Sequence, residues 1–149
     1  MADNNLANGT YIIINRVLSP QGQRLAMTFN GANQTVTGTP VGAQNNNQQW
    51  AITRFGAGVL GASTYELKPV SSQNLQTGQG NGNIVTLPTG GYIFSIYKDD
   101  FGYIVQDSNR QNTWALENAT AGSRVVFPGS LGDRQRWYFH NIANGVLPA

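Results

Sequence analysis

The sequence predicts an all-β domain assembled from three repeats of about four strands each. Three observations carry that prediction. Short runs rich in Ile, Val, Thr, Tyr and Phe alternate with Gly, Pro and Asn clusters, as strands alternate with turns. No useful window places apolar residues at i, i+3, i+4 and i+7, so no substantial helix is expected. An aromatic anchor followed two positions later by an apolar residue recurs at Trp50-Ala51-Ile52, Phe94-Ser95-Ile96 and Trp137-Tyr138-Phe139, at intervals of 44 and 43 residues.

The elements follow in order. Tyr11–Ile14 is the first strand, and Ser19-Pro20-Gln21-Gly22 turns the chain, proline presetting the bend and glycine accepting positive φ. Arg24–Phe29 and Gln34–Thr37 flank the hairpin dipeptide Asn30-Gly31. Residues 42–50 hold at most a single helical turn before the first anchor. The second repeat opens with Thr64-Tyr65-Glu66-Leu67, as the first opens with Thr10-Tyr11-Ile12 and the third with Gly102-Tyr103-Ile104-Val105. Gly78–Asn83 reads as a flexible β loop leading into the strand Ile84–Pro88. Leu25-Ala26-Met27 matches Trp114-Ala115-Leu116, and Val85-Thr86-Leu87 matches Val125-Val126-Phe127. Each anchor and its i+2 neighbour share one strand face, so one aromatic per repeat points inward. Three such repeats, about 9–55, 56–99 and 100–142, give roughly twelve strands in a single β-trefoil domain over residues 1–149, whose closure removes exposed edges.

Composition narrows the chemistry. The chain has 149 residues, a net charge of +2 and 11% charged residues, a length that suits one domain. Nine Lys and Arg against seven Asp and Glu leave too few cations to neutralise a phosphate backbone, so nucleic acid is not an expected partner. Apolar runs of four or five residues are too short to insert in a membrane as a helix, and Met1–Leu6 lacks a leader pattern, which gives a cytoplasmic expectation. With no cysteine there is no disulfide, thiolate metal site or cysteine nucleophile. His140 is the sole histidine, and alternation from Trp137 and Phe139 places it outward, as a solvated residue without a catalytic partner motif. Asp107-Ser108-Asn109-Arg110-Gln111-Asn112 starts like a calcium loop, but lacks the glycine at its sixth position and the closing glutamate, and reads as a polar turn. No catalytic residue, metal site or cofactor is therefore expected, and the protein is expected not to be an enzyme. What remains is an amide- and hydroxyl-rich, weakly charged surface with 3 Trp, 6 Tyr and 6 Phe, which suits carbohydrate: aromatic platforms for C–H faces, and amides for hydroxyls. Trp50, Trp137, Phe94 and Trp114 are first read as core.

Gln-x-Trp closing a repeat, present as Gln48-Gln49-Trp50 and Gln135-Arg136-Trp137 and replaced by Tyr92-Ile93-Phe94, resembles the signature of ricin-B-like β-trefoils. Tyr11–Thr28, Leu87-Pro88 through Phe94, and Tyr103–Asp107 through Trp114–Gly122 are similar to fungal fruiting-body lectins of this fold that bind fucosylated N-glycan cores. That group also includes mushroom protease inhibitors. The resemblance implies a defensive lectin for GlcNAc-containing, core-fucosylated glycans or glycoproteins, with its site in the middle repeat at Thr77, Gly78, Leu87, Gly91, Tyr92, Ile93 and Phe94. In that reading Tyr92 stacks on a sugar, Ile93 and Phe94 pack on its apolar groups, and backbone amides of 78–82 and 91–93 meet hydroxyls. Phe94 stands where the pattern has tryptophan, and a second tryptophan of the pattern, at Thr77/Gly78, is missing here. The alternative is a serine protease inhibitor acting through an exposed loop, with Asn30 or Arg24 entering the protease pocket.

Overall fold

The computed structural model describes residues 6–42, 46–57, 63–107, 111–127 and 132–144. It contains twelve strands: β1 (Gly9–Asn15), β2 (Leu25–Thr28), β3 (Thr37–Pro40), β4 (Trp50–Ala57), β5 (Ser63–Pro69), β6 (Leu75–Gly80), β7 (Asn83–Pro88), β8 (Phe94–Asp99), β9 (Gly102–Asp107), β10 (Ala115–Leu116), β11 (Ser123–Val126) and β12 (Trp137–Asn141). The pairing order β12-β9-β8-β5-β4-β1, closed by β12 against β1, makes a six-stranded barrel. The hairpins β2–β3, β6–β7 and β10–β11 join one another through β3–β11 and β11–β7 pairing. This is the β-trefoil, and closure of the barrel leaves it no free edge.

Register exposes the threefold design. The leading tyrosine of each repeat pairs directly with that repeat's closing aromatic: Tyr11 with Trp50, Tyr65 with Phe94, Tyr103 with Trp137. The two tryptophans also bind alike, Trp50 Nε1 donating to the Met27 carbonyl at 3.0 Å and Trp137 Nε1 to the Trp114 carbonyl at 3.3 Å. Met27 and Trp114 are thus the equivalent residues, which moves the match read from sequence by two positions. A two-residue slip keeps the same strand face, so alternation alone does not detect it.

One cluster forms the core, with Trp50, Trp114, Trp137, Tyr65, Leu67 and Ile84 among its members. Phe94 belongs to it, edge-on to Trp114 at 4.9 Å and to Phe127 at 6.1 Å. Such edge-to-face pairs add ~0.5–1.5 kcal/mol to the area they bury. Leu6 enters the same cluster, and the segment it leads is held by Tyr65 Oη donating to the Leu6 carbonyl at 2.9 Å and Tyr11 Oη to the Ala7 carbonyl at 2.7 Å. Burial pushes both hydroxyls above their ordinary pKa, because the charged phenolate is poorly solvated there.

Three local expectations are corrected. Gly78–Gly80 is not loop but the end of β6, paired residue for residue with Asn83–Val85. The turn between them is Asn81-Gly82, both at positive φ, 53° and 78°. That is the two-residue hairpin chemistry in which successive positive φ values match strand twist. The strand expected at Gln34–Thr37 begins only at Thr37, because Thr86 captures the preceding segment: Asn33 N–H donates to its carbonyl, and Thr86 Oγ1 donates to the Gly31 carbonyl at 2.6 Å. His140 is buried, not solvated. It faces Ile12 across the β1–β12 ladder, where Ile12, Ile14 and Ala26 form a second apolar cluster, and its ring stacks on Tyr138 at 6.4 Å. Of residues 42–50, the described part contains one 3-10 turn, Asn46–Gln48.

Candidate functional site

The middle-repeat candidates divide by depth. Tyr92 is 41% exposed, Gly91 is exposed, and Leu87 and Ile93 are half-buried. Thr77 is fully buried and Phe94 is 3% exposed. Phe94 therefore does not pack on a bound sugar: its ring is committed to Trp114 and Phe127, as its repeat-closing position requires. Thr77 likewise faces inward.

The exposed members are joined by a residue that sequence reading passed over. Gln76, fully buried on β6, donates from Nε2 to the Tyr92 carbonyl at 2.6 Å, and its Oε1 accepts from Gly90 N–H at 2.8 Å and Gly91 N–H at 3.2 Å. One amide side chain thereby fixes the three residues Gly90–Tyr92, a segment with no ladder of its own. The Gly91 amide is occupied by this bond, which corrects the expectation that it reads a sugar hydroxyl. Gln48 does a similar job in the first repeat, accepting from Gly42 N–H at 2.8 Å and donating to the Pro40 carbonyl at 3.1 Å. Gln76 stands fourteen to sixteen residues before the groups it binds and Gln48 six to eight residues after its own, so the two share no local sequence signal.

Gly78 explains where the ring lies. A methyl group built on it would stand 2.8 Å from Leu87 Cδ1 and 3.3 Å from the Tyr92 ring, so both side chains close over the glycine backbone. The position at which the fungal lectin pattern has a second tryptophan is thus covered here by Tyr92 and Leu87. The result is one exposed aromatic ring beside the half-buried Leu87 over a glycine backbone, with the half-buried Ile93 next in the chain. Such a surface takes a flat apolar face with polar groups around it.

The two loop candidates are placed differently. Asn30 is exposed, but its Nδ2 donates to the Thr28 and Thr35 carbonyls at 3.3 and 2.9 Å and to Thr37 Oγ1 at 2.9 Å, so its amide braces its own loop. Arg24 lies at the foot of the Ser19–Gln23 turn, which closes on itself through Ser19 N–H to the Gln23 carbonyl and Gln23 N–H to Ser19 Oγ. Neither side chain stands at a loop tip. Asp107 accepts from the Gln111 and Asn112 amides at 2.7 and 3.2 Å, while residues 108–110 of the calcium-like stretch lie outside the described residues.

A family model described as CCL2 lectin-like matches residues 9–137. Among solved structures, the chain is similar to the designed threefold-symmetric protein ThreeFoil, with a TM-score of 0.72, 18% identity, and 90% of this chain and 99% of that chain covered. It is similar to the Macrolepiota procera ricin B-like lectin solved with lactose, with a TM-score of 0.69, 19% identity, and 92% and 99% covered. The Polyporus squamosus lectin, solved with Neu5Aca2-6Galb1-4GlcNAc, follows with a TM-score of 0.68 and 16% identity; 93% of this chain aligns with 50% of that one. No curated protein matches significantly. At these identities the structural likenesses speak to the fold alone.

Proposed function

We propose that this chain, which belongs to the CCL2 lectin-like family, is a reversible carbohydrate-binding protein whose site is the Tyr92 face of the middle repeat. The observation that carries the reading is Tyr92 itself: a large aromatic ring left 41% exposed while its backbone is pinned by the buried Gln76. An immobile aromatic platform lowers the ordering cost of binding, which is what a shallow sugar site needs. Stacking on Tyr92 and contact of Leu87 and Ile93 with methyl or ring C–H groups supply the attraction. No bond is made or broken. GlcNAc-containing glycans, core-fucosylated ones first, are the ligands we propose, and defence the role.

A single shallow site of this kind gives an affinity of roughly micromolar order, so capture of a glycoprotein relies on several sites displayed together. The test is a glycan array spanning fucosylated chitobiose, chitin oligomers and galactose- or GalNAc-terminated glycans, read with the unaltered chain and with Tyr92→Ala. Selective signal that Tyr92→Ala removes, at unchanged circular dichroism, supports the site. Signal that survives in the folded variant moves the site elsewhere. A silent array makes protease inhibition the reading to pursue, through a panel of trypsin-like enzymes.

A further inference from the structure

Away from Tyr92, Phe101 is built in the same manner: an exposed aromatic residue whose backbone is pinned by side chains. It is 58% exposed and stands in the two-residue turn Asp100-Phe101 between β8 and β9. Its N–H donates to Asp99 Oδ1 at 2.9 Å, and its carbonyl accepts from Arg16 Nη1 at 2.8 Å. Asp99 is fixed in turn, because Arg136 grips the same carboxylate through Nε and Nη2 at 3.0 and 2.9 Å. Burial alone would raise the Asp99 pKa, but the Arg136 bonds and the Phe101 and Gly102 amides outweigh it and hold it below the usual range. Gly102 closes the turn at φ 136°, where a methyl group would lie 3.1 Å from the Trp137 carbonyl. At Tyr92 the buried Gln76 holds the carbonyl and the two preceding amides. The backbone behind each ring is thus ordered before a ligand arrives, which removes that cost from binding.

Phe101 borders a half-open cavity of about 370 Å³, within the ~300–1,000 Å³ of small-molecule sites, whose other walls include Tyr138, Tyr103 and Lys98, with the buried Trp137 beneath. Tyr138, contributed by β12, is 49% exposed, and its ring is stacked on His140 at 6.4 Å. The Arg16 guanidinium lies 5.3 Å from the Phe101 ring centre and steadies the ring, whose exposure is what remains with that cation in place. Lys98 Nζ, 5.8 Å from the Tyr103 ring centre, brings N–H donors beside the rings. Exposed aromatic faces with donors next to them suit a sugar: the rings meet its C–H groups and the donors its hydroxyl oxygens. The cavity is not a threefold copy of the Tyr92 face. Tyr92 lies two places before the closing Phe94, so its counterparts are Gln48 and Gln135, whereas Phe101 precedes the leading Tyr103 and Tyr138 follows the closing Trp137.

We infer that this cavity is a second carbohydrate site, which takes one neutral pyranose residue. The apolar face of the sugar lies against Phe101 and Tyr138, and Lys98 donates to one of its hydroxyls. The site presupposes that the chain binds carbohydrate, as proposed above, but not that Tyr92 is where it does so. With two unlike sites, one chain can cross-link two glycans without assembling with other copies.

The experiment is amide-resolved NMR titration of the full chain with chitobiose, with lactose, and with sorbitol as a polyol that has hydroxyls but no ring face. Saturable shifts at residues 98–102 and 137–138 with at least one of the sugars, retained in Tyr92→Ala and at least tenfold weaker with sorbitol, support the site. Phe101→Ala is expected to weaken this response tenfold or more and Tyr138→Ala three- to tenfold, at unchanged circular dichroism, because each removes one ring of the pair. Shifts at 98–102 without shifts at 90–93 support this site and refute the one at Tyr92. Shifts confined to 90–93 overturn this proposal and leave the Tyr92 site standing. It is also overturned by an equal response to sorbitol, by the absence of any saturable shift up to tens of millimolar, or by a response that survives both Phe101→Ala and Tyr138→Ala in folded protein.

Discussion

Replacing Gln76 with methionine keeps the shape of the β6 side chain and deletes every hydrogen bond it makes to the Tyr92 segment. The wild-type amide serves three backbone groups, the Tyr92 carbonyl and the Gly90 and Gly91 amides, at 2.6, 2.8 and 3.2 Å. At ~0.5–1.5 kcal/mol net per bond the ceiling is about 1.5–4.5 kcal/mol. Gly90 and Gly91 are exposed and regain water when released, so the expected loss of stability is at the lower end, about 1–2 kcal/mol. Binding loses more than that figure suggests. A loosened Gly90–Tyr92 segment must be ordered again when a sugar arrives, and fixing even one residue costs ~1–2 kcal/mol, or about tenfold in Kd. Urea unfolding followed through the buried Trp50, Trp114 and Trp137 gives the first quantity, and titration with the best glycan from the array gives the second. Stability within about 0.5 kcal/mol of wild type together with a Kd within twofold would refute the claim that Gln76 positions Tyr92.

Three further outcomes follow from the same contacts. Phe94→Ala, which empties a core position beside Trp114 and Phe127, should cost about 3–5 kcal/mol in denaturant unfolding; a loss below about 1 kcal/mol would mean that Phe94 is not a core residue. Tyr65 has its pKa raised by burial, so its contribution is intact below about pH 10 and is lost as pH rises further. Tyr65→Phe should cost about 0.5–1.5 kcal/mol at neutral pH and flatten part of the alkaline loss of stability, and an unchanged alkaline profile would contradict this. For Asp99, held below its usual pKa, the sign is opposite: its contribution is present above pH 3.8 and is lost as pH falls below it. Asp99→Asn should therefore lower stability at pH 7 by about 1 kcal/mol or less, given its partial exposure, and reduce the difference between pH 7 and pH 3. Equal acid sensitivity in variant and wild type would remove Asp99 from that role.

Much of the architecture was legible from residue spacing. Tyr11, Tyr65 and Tyr103 and the closing Trp50, Phe94 and Trp137 are local periodic signals, and each pair turns out to be in direct register. Alternation about Trp137 was less secure at His140, because a second layer of Ile12, Ile14 and Ala26 covers part of the face that one strand's pattern calls outward. At Gly78–Asn83 the glycines suggested a loose loop, whereas Asn81-Gly82 alone makes the turn and the rest is ladder. The glycine-rich end Gly78–Gly80, of low strand propensity, became part of β6 because β7 supplied the partner for each residue.

The amino-acid sequence by itself determined the fold class and the threefold repeat, since these rest on pattern and on residue type at short range, whereas Tyr92 entered through the resemblance of its segment to fungal lectins. Which candidates can touch a ligand was decided only by the tertiary structure. Phe94 and Tyr92 are two residues apart and equally aromatic, yet one fills the barrel core and the other faces solvent, because burial depends on what the neighbouring repeats place around each position. Gln76 gained its role from a segment fourteen to sixteen residues away, on the far side of the β6–β7 hairpin. Contacts between such distant positions leave no local trace, because chain closure and not spacing creates them.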